Sequence, residues 1–410
     1  MIQFSQITDI AKEVGTPFYL AYPDQFNANI EGFHEAFSSL YPHFILSYSF
    51  KTNYTPFLLK AIKDHGFYAE VVSEIEYDLA TLLGFRGDNI VLNGPIKGEA
   101  LLTKAINNQS IVNLDCLYEV DSVLKIKEQN PSKQISIGLR VNMEINTNNG
   151  ASAIQGGLKE SRFGFTEAML EEVIPSLKKS GIKIVSLHGH TSSTNRVVDN
   201  YKIIANRLLD VCEKFQLDDV KFLDLGGGFF GAAPKEVDTS KRPSYKDYAK
   251  GIIETMTQRP WFNSHQPYIL IEPGASVVTN VFEVVTKIHQ QKKIHGKDFV
   301  IVDASIYQVR PPSGKANYPY DECSDKPVQD PITADIVGST CMEIDVVANQ
   351  VKLTHYRNGD YLVFKASGAY RQNLTPFFIN PRCAIVELTS DGFKVIRKRQ
   401  DAKHLLEMLQ

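Results

Sequence analysis

Lys51 stands directly after an apolar run, Phe44-Ile45-Leu46-Ser47-Tyr48-Ser49-Phe50. A lysine at a strand end can snorkel to water. It can also be put to use, because a buried ammonium is costly unless it is paired, deprotonated or covalently engaged. A desolvated lysine loses its proton and condenses with an aldehyde, and the commonest such partner is pyridoxal phosphate. Three further stretches suit that chemistry. Gly226-Gly227-Gly228 exposes backbone N–H groups that fit an anion such as phosphate, or makes a flexible turn. Glu272 follows Tyr268-Ile269-Leu270-Ile271. It is either a half-buried carboxylate in an ion pair or the group that keeps a pyridine nitrogen protonated. His190 either satisfies a hydrogen bond or stacks on an aromatic ring.

Elements that would gather these residues are readable in order. Eight short strand-like runs alternate with helical patterns or turn signals: 44–50, 67–72, 89–93, 111–115, 135–141, 183–188, 220–225 and 268–272. Such alternation over about 250 residues predicts a (β/α)8 TIM barrel, in which chemistry sits where strands end. Glu70, Ser73, Arg140, His188 to Ser193, Gly226 to Gly228 and Glu272 all fall at those ends. Ser73-Glu74-Ile75-Glu76 reads as a capping box, followed by an apolar stripe of Ile75, Leu79, Leu82 and Leu83 expected in the core and ended by Gly84. After about 280 the pattern becomes alternating strands and turns, predicting an all-β C-terminal domain closed by a helix at Ala402 to Leu409. The strand at 17–22 is expected to join it. The domains are therefore read as a barrel over 26–280, and 1–25 plus 281–410 as the β-domain. Asn146 to Gly150 and 314–330 are read as the mobile loops.

At 410 residues the chain can hold two cores, since single cores stop growing at roughly 250–300 residues. A formal charge of -3, a pI near 6.4 and the lack of any Lys/Arg run argue against nucleic acid or an anionic membrane as partner. Five scattered cysteines show neither a disulfide framework nor metal-ligand spacing, so no metal and a reducing compartment are expected. The first residues carry no signal pattern, and no run approaches the roughly 18 apolar residues of a membrane span. A cytoplasmic protein with a small-molecule partner is the expectation.

An ordered set of motifs carries a resemblance: Tyr48-Ser49-Phe50-Lys51-Thr52-Asn53, Val71-Val72-Ser73, Ser161-Arg162-Phe163-Gly164, His188-Gly189-His190, Leu225-Gly226-Gly227-Gly228, Glu272-Pro273-Gly274, Gly338-Ser339-Thr340-Cys341 and Gly368-Ala369-Tyr370. The chain resembles, over nearly its whole length, the pyridoxal-phosphate decarboxylases with an alanine-racemase-like barrel, which act on diaminopimelate, ornithine, arginine or carboxynorspermidine. The resemblance implies Lys51 as the lysine that holds the cofactor and His190 as the stacking residue. It also implies Ser193, Gly227, Gly228 and Tyr370 at the phosphate, Glu272 at the pyridine nitrogen and Arg140 near the ring hydroxyl. Cys341 matches the cysteine that returns a proton to the substrate in the partner subunit's site, implying a homodimer with shared active sites.

Departures from the family pattern bear on the substrate. Ser192 replaces a glycine, Glu70 an aspartate and Ala275 an arginine, while Arg310 matches a substrate-carboxylate arginine whose companion tyrosine is Gly314 here. Met342 stands where relatives place a carboxylate for the distal amine, and methionine cannot pair with an ammonium. The expected reaction is decarboxylation of a diamino acid whose distal nitrogen is acylated, such as a citryl-diamino acid siderophore precursor, with Arg371 and Lys315 meeting the acyl end. The alternative is a diaminopimelate or ornithine/lysine decarboxylase acting on the free diamino acid. A racemase on the same scaffold and a non-catalytic regulatory homologue are the remaining readings.

Overall fold

The structure, a computed structural model, describes residues 2–145, 152, 154, 158–191, 195–231, 233–310 and 316–410. It divides into two units: Met1–Ala28, Ala232–Thr239 and Val277–Gln410 form one, Asn29–Gly231 and Ser240–Ser276 the other.

β1 (Phe18–Ala21) belongs to the first unit. The second unit is a closed barrel of eight parallel strands, β2 (Phe44–Ser49), β3 (Tyr68–Val71), β4 (Ile90–Leu92), β5 (Ile111–Leu114), β6 (Ser136–Arg140), β7 (Lys183–His188), β8 (Phe222–Asp224) and β9 (Tyr268–Ile271). Pairing of Phe44 with Ile269 closes it between β2 and β9. The barrel strands read as near-continuous apolar runs because both of their faces are covered, and all six residues of β2 are buried. Ile45, Val91, Ile111 and Leu270, with Tyr68 and Phe222, pack as one cluster. All but Leu270 lie in the first two positions of their strands, so that end of the barrel is filled with hydrocarbon and the polar chemistry is left to the other end.

Helix Glu74–Leu82 departs from its sequence reading. The Ser73 hydroxyl accepts from the Glu76 N–H, but the Glu76 carboxylate accepts from the Val72 N–H, not from Ser73, so only half of the capping box forms. Its buried face is Glu76, Tyr77 and Ala80, whereas Ile75 and Leu82 are 79% and 84% exposed. Tyr77 displaces the aliphatic stripe from the core because its hydroxyl finds a buried partner in Ser110.

The β-unit is a sheet in the order β14-β13-β11-β10-β1-β16-β17, made of β10 (Phe282–Ile294), β11 (Lys297–Val302), β12 (Tyr320–Cys323), β13 (Ile332–Val337), β14 (Val346–Leu353), β15 (Tyr361–Phe364), β16 (Ala384–Thr389) and β17 (Gly392–Arg397). β12 pairs with β15, and β15 with β10. As expected, the N-terminal strand joins this sheet: β1 runs antiparallel to β10 and parallel to β16, so Phe18 faces both Val285 and Ala384. Ile7 and Ile10 of helix Phe4–Val14 cover that core with Phe18, Leu20, Val363 and Val386. The segment 314–330, read as a loop, contains strand β12. Asn146 to Gly150 lie outside the described residues.

Candidate active site

Lys51 sits in the 3-10 turn Phe50–Thr52 that ends β2. Its amine is not desolvated as the sequence suggested. The side chain is 38% exposed, and Nζ lies 2.5 Å from Oε2 of the buried Glu70, near the end of β3. The same oxygen accepts from Ser49 Oγ at 2.6 Å, and Glu70 Oε1 accepts from Asn93 Nδ2 at 3.2 Å. Asn93 bridges onward, donating to Glu272 Oε1 at 2.5 Å while its own oxygen accepts from Asn113 Nδ2 at 2.9 Å. One asparagine thus ties the carboxylate beside the amine to the carboxyl that follows β9. Neither Asn93 nor Asn113 stood out in the sequence; the signal was there only as polar residues in or just after apolar strands.

Glu272 lies under a second cluster. His188, Asp224 and Glu272, at the ends of β7, β8 and β9, bring a ligating atom each to within 4.8 Å of one another, and all three are buried. Burial, then the Asp224 charge, push Glu272 well above the usual carboxylate range. Burial likewise pushes Asp224 up to about 7. His188 is driven well below its ordinary value by burial and then by Arg140 and its neighbours, and is neutral. His190 lies beyond it with the two rings nearly parallel, 15° apart and 6.3 Å between centroids. Burial first, then the charges of Arg140 and Lys51, push His190 down to about 3. Its Nδ1 accepts from the Gly227 N–H at 3.1 Å, which fixes the neutral ring and its orientation.

The glycine turn has steric reasons at each position. Gly226 has φ +69°, and a Cβ there would meet His190 at 2.5 Å; one on Gly227 would meet the Glu272 carbonyl at 2.4 Å. Tyr201 donates to the Gly227 carbonyl at 3.2 Å and stacks on Phe229 with centroids 4.1 Å apart. Arg140 ends β6, pairs with Asp115 Oδ1 at 3.2 Å and lies over the Phe163 ring at 4.5 Å. Behind it Lys97 has no exposed surface, its Nζ 3.0 Å from Glu119 Oε1; burial lowers its pKa against the pull of Glu119.

Pyridoxal phosphate fits these residues. The amine of Lys51 stands at a strand end, the glycine turn packs tightly on His190 and Glu272 and leaves the Gly228 N–H for an anion, His190 is neutral and aromatic, and Glu272 is a buried hydrogen-bonding carboxyl. Ser193, expected at the phosphate, lies outside the described residues, as do Ser192, Gly314 and Lys315.

Tyr370, Arg310, Cys341, Met342 and Arg371 belong to the β-unit. Tyr370 takes φ +65° and is 37% exposed. Cys341 is exposed and borders a hollow with Phe299, Val337, Met342 and Glu343. Met342 Sδ takes a contact of 3.8 Å from the Tyr307 hydroxyl. Two expected substrate contacts are turned inward: Arg310, 4% exposed, donates to the carbonyls of Val346 and Val347 at 2.8 and 2.9 Å, and Arg371, 3% exposed, donates to the Ala369 carbonyl at 3.2 Å.

Comparison with known proteins follows the same geometry. Residues 27–279 match the family described as pyridoxal-dependent decarboxylase, pyridoxal binding domain. Diaminopimelate decarboxylase of Archaeoglobus fulgidus is 29% identical over 408 residues, 98% of this chain and 94% of that protein. The enzyme of the same name from Aquifex aeolicus is 28% identical, over 99% of this chain and 94% of its own. A crystal structure of a point mutant of Helicobacter pylori diaminopimelate decarboxylase, complexed with L-lysine, aligns with TM-score 0.84 at 25% identity, covering 98% of this chain and 99% of that one. With lysine, histidine, glycine turn and buried carboxyl at the strand ends of one barrel, the chain belongs to the pyridoxal-dependent decarboxylases and is a carboxy-lyase acting on an amino acid.

Proposed function

We propose that the chain removes a carboxylate from a free diamino acid, diaminopimelate foremost. The observation that carries this reading is the alignment of nearly the whole chain with proteins named diaminopimelate decarboxylase. An acylated substrate rests on Met342 alone. The next residue, Glu343, is a carboxylate bordering the same hollow as Cys341, and it can pair with a distal ammonium that methionine cannot.

When bound, pyridoxal phosphate supplies the electron sink for the pair left by the departing carboxylate. Lys51 is the amine that would hold the cofactor's aldehyde carbon. Glu272 would accept the ring N–H, and His190 would stack on the ring face. Arg140 would stand near the ring hydroxyl, and the Gly228 N–H with Ser193 and Tyr370 would hold the phosphate, while the Gly227 N–H orients His190; Cys341 or Lys51 would return a proton to the α-carbon. A homodimer in the cytoplasm completes the proposal, with Cys341 of one chain serving the site of the other. Ile75, Ile96 and Leu117, which follow the adjacent strands β3, β4 and β5, are each exposed and available for burial by a second chain.

Release of carbon dioxide from meso-diaminopimelate, ornithine and lysine, each beside its N-acylated or citryl form, tests the substrate. Diaminopimelate is expected to give a kcat/KM about tenfold or more above any acylated compound, since an unmatched polar group costs about 1–3 kcal/mol. Preference for an acylated compound by that margin overturns the proposal and restores the argument from Met342.

A further inference from the structure

Asp224 and Glu272 lie at the ends of neighbouring strands β8 and β9, with 0% and 4% exposure. An oxygen of each carboxyl lies within 4.8 Å of one on the other, and two carboxylates can only accept. The Gly226 N–H donates to Asp224 Oδ1 at 2.9 Å. Asp224 Oδ2 is sealed from water and, among the described residues, no N–H or O–H reaches it. Nearby, Glu70 adds a negative charge against the single amine of Lys51. His188, with Nε2 3.8 Å from Glu272 Oε1, and His190 are both kept neutral and bring no compensating charge. Arg140 and Lys97, the further cations acting on His188, are committed to Asp115 and Glu119. A doubly ionised pair would place like charges and an unmatched oxygen in a dry site; one proton between them removes both costs.

We propose that Asp224 is a positioning residue that carries a proton on Oδ2 and donates it to Glu272, so that Glu272 offers a fixed carboxylate to the ring nitrogen of pyridoxal phosphate. This rests on the reading above that Glu272 meets that nitrogen. The proton stays within the pair: it neutralises Asp224 and leaves the single negative charge on the oxygen atoms that face the cofactor. Without cofactor, burial raises both groups while their mutual hydrogen bond raises Glu272 and lowers Asp224, so the shared proton rests on Glu272; a ring N–H donating to Glu272 draws the negative charge there and leaves the proton on Asp224.

Asp224→Asn separates this role from bulk and from charge. Asparagine keeps Oδ1 as acceptor for Gly226 and places an N–H donor where the protonated oxygen stood. Asp224→Ala removes both. Apoprotein of each variant, checked for folding by circular dichroism, is titrated with pyridoxal phosphate. The Asn variant is expected to bind within about threefold of wild type and the Ala variant at least about tenfold more weakly. Should the Ala variant not fold, the comparison of Asn with wild type decides.

A second measurement is apoprotein stability against pH. A carboxyl raised in the folded state binds its proton there but not in the unfolded chain, so stability falls as pH rises from about 4 through about 7. Asp224→Asn is expected to flatten that fall. Binding as weak as that of the Ala variant, or an unchanged pH dependence, overturns the role. The site itself is checked separately by borohydride trapping of pyridoxal phosphate on Lys51 of wild type. Absence of the trapped product removes the underlying reading, whereas its presence with a failed Asn variant removes only the role of Asp224.

Discussion

An ammonium on one strand end and a carboxylate on the next, 2.5 Å apart, keep the reactive amine of Lys51 aimed while part of its side chain stays in water. Lys51→Ala is therefore expected to fold, because Glu70 keeps Ser49 and Asn93 as donors and a half-exposed pair contributes no more than about 1 kcal/mol. It is expected to trap no cofactor under borohydride and to lose roughly 10²–10⁴-fold or more in turnover; a variant with undiminished turnover refutes the role. At this scale the placement of Lys51, His190 and Glu272 at barrel strand ends was legible, because each follows an apolar run. Asn93 and Asp224 were not, because nothing in a polar residue's type says which neighbour it will bridge. Nor does sequence show that the Arg310 and Arg371 guanidinium groups are buried and donate to backbone carbonyls.

The glycine turn after β8 and the buried charges behind β5 and β6 set the precision of the mouth. Gly227→Ala drives a methyl into the Glu272 carbonyl, so backbone at the Glu272 end must move. Overpacking of this kind costs about 1–3 kcal/mol, and cofactor affinity is expected to fall with it, measured by titration of apoprotein. Lys97→Met leaves Glu119 buried without its cation and is expected to lower unfolding free energy by about 3–5 kcal/mol in a urea titration, with Lys97→Met and Glu119→Leu together recovering much of the loss. A small effect of Lys97→Met alone shows that water reaches the pair. The barrel was legible from alternation because its period persists over eight units. Helix Glu74–Leu82 was misjudged because its aliphatic stripe and its Tyr77 face compete, and a buried hydroxyl partner on a distant turn decided the winner.

For the whole molecule, the two-unit layout and the capture of the first strand by the β-sheet were legible; the assembly is a matter for experiment. If Cys341 serves the partner's site, mixing inactive Lys51→Ala and Cys341→Ala chains restores activity, to a ceiling of roughly a quarter of wild type for random reassortment into dimers. No recovery after demonstrated subunit exchange places both residues in one chain's site. The position of β1 also has a consequence in time. Its partners begin at Phe282 and Ala384, so at about 5–20 residues per second of synthesis the strand waits roughly 20–70 s between leaving the ribosome and meeting β16. The barrel's residues are made within that interval, and the β-sheet closes around a strand made before either of its partners. Until then Phe18-Tyr19-Leu20-Ala21 is an unpaired apolar edge, which makes the nascent chain, more than the finished enzyme, the form that depends on chaperones.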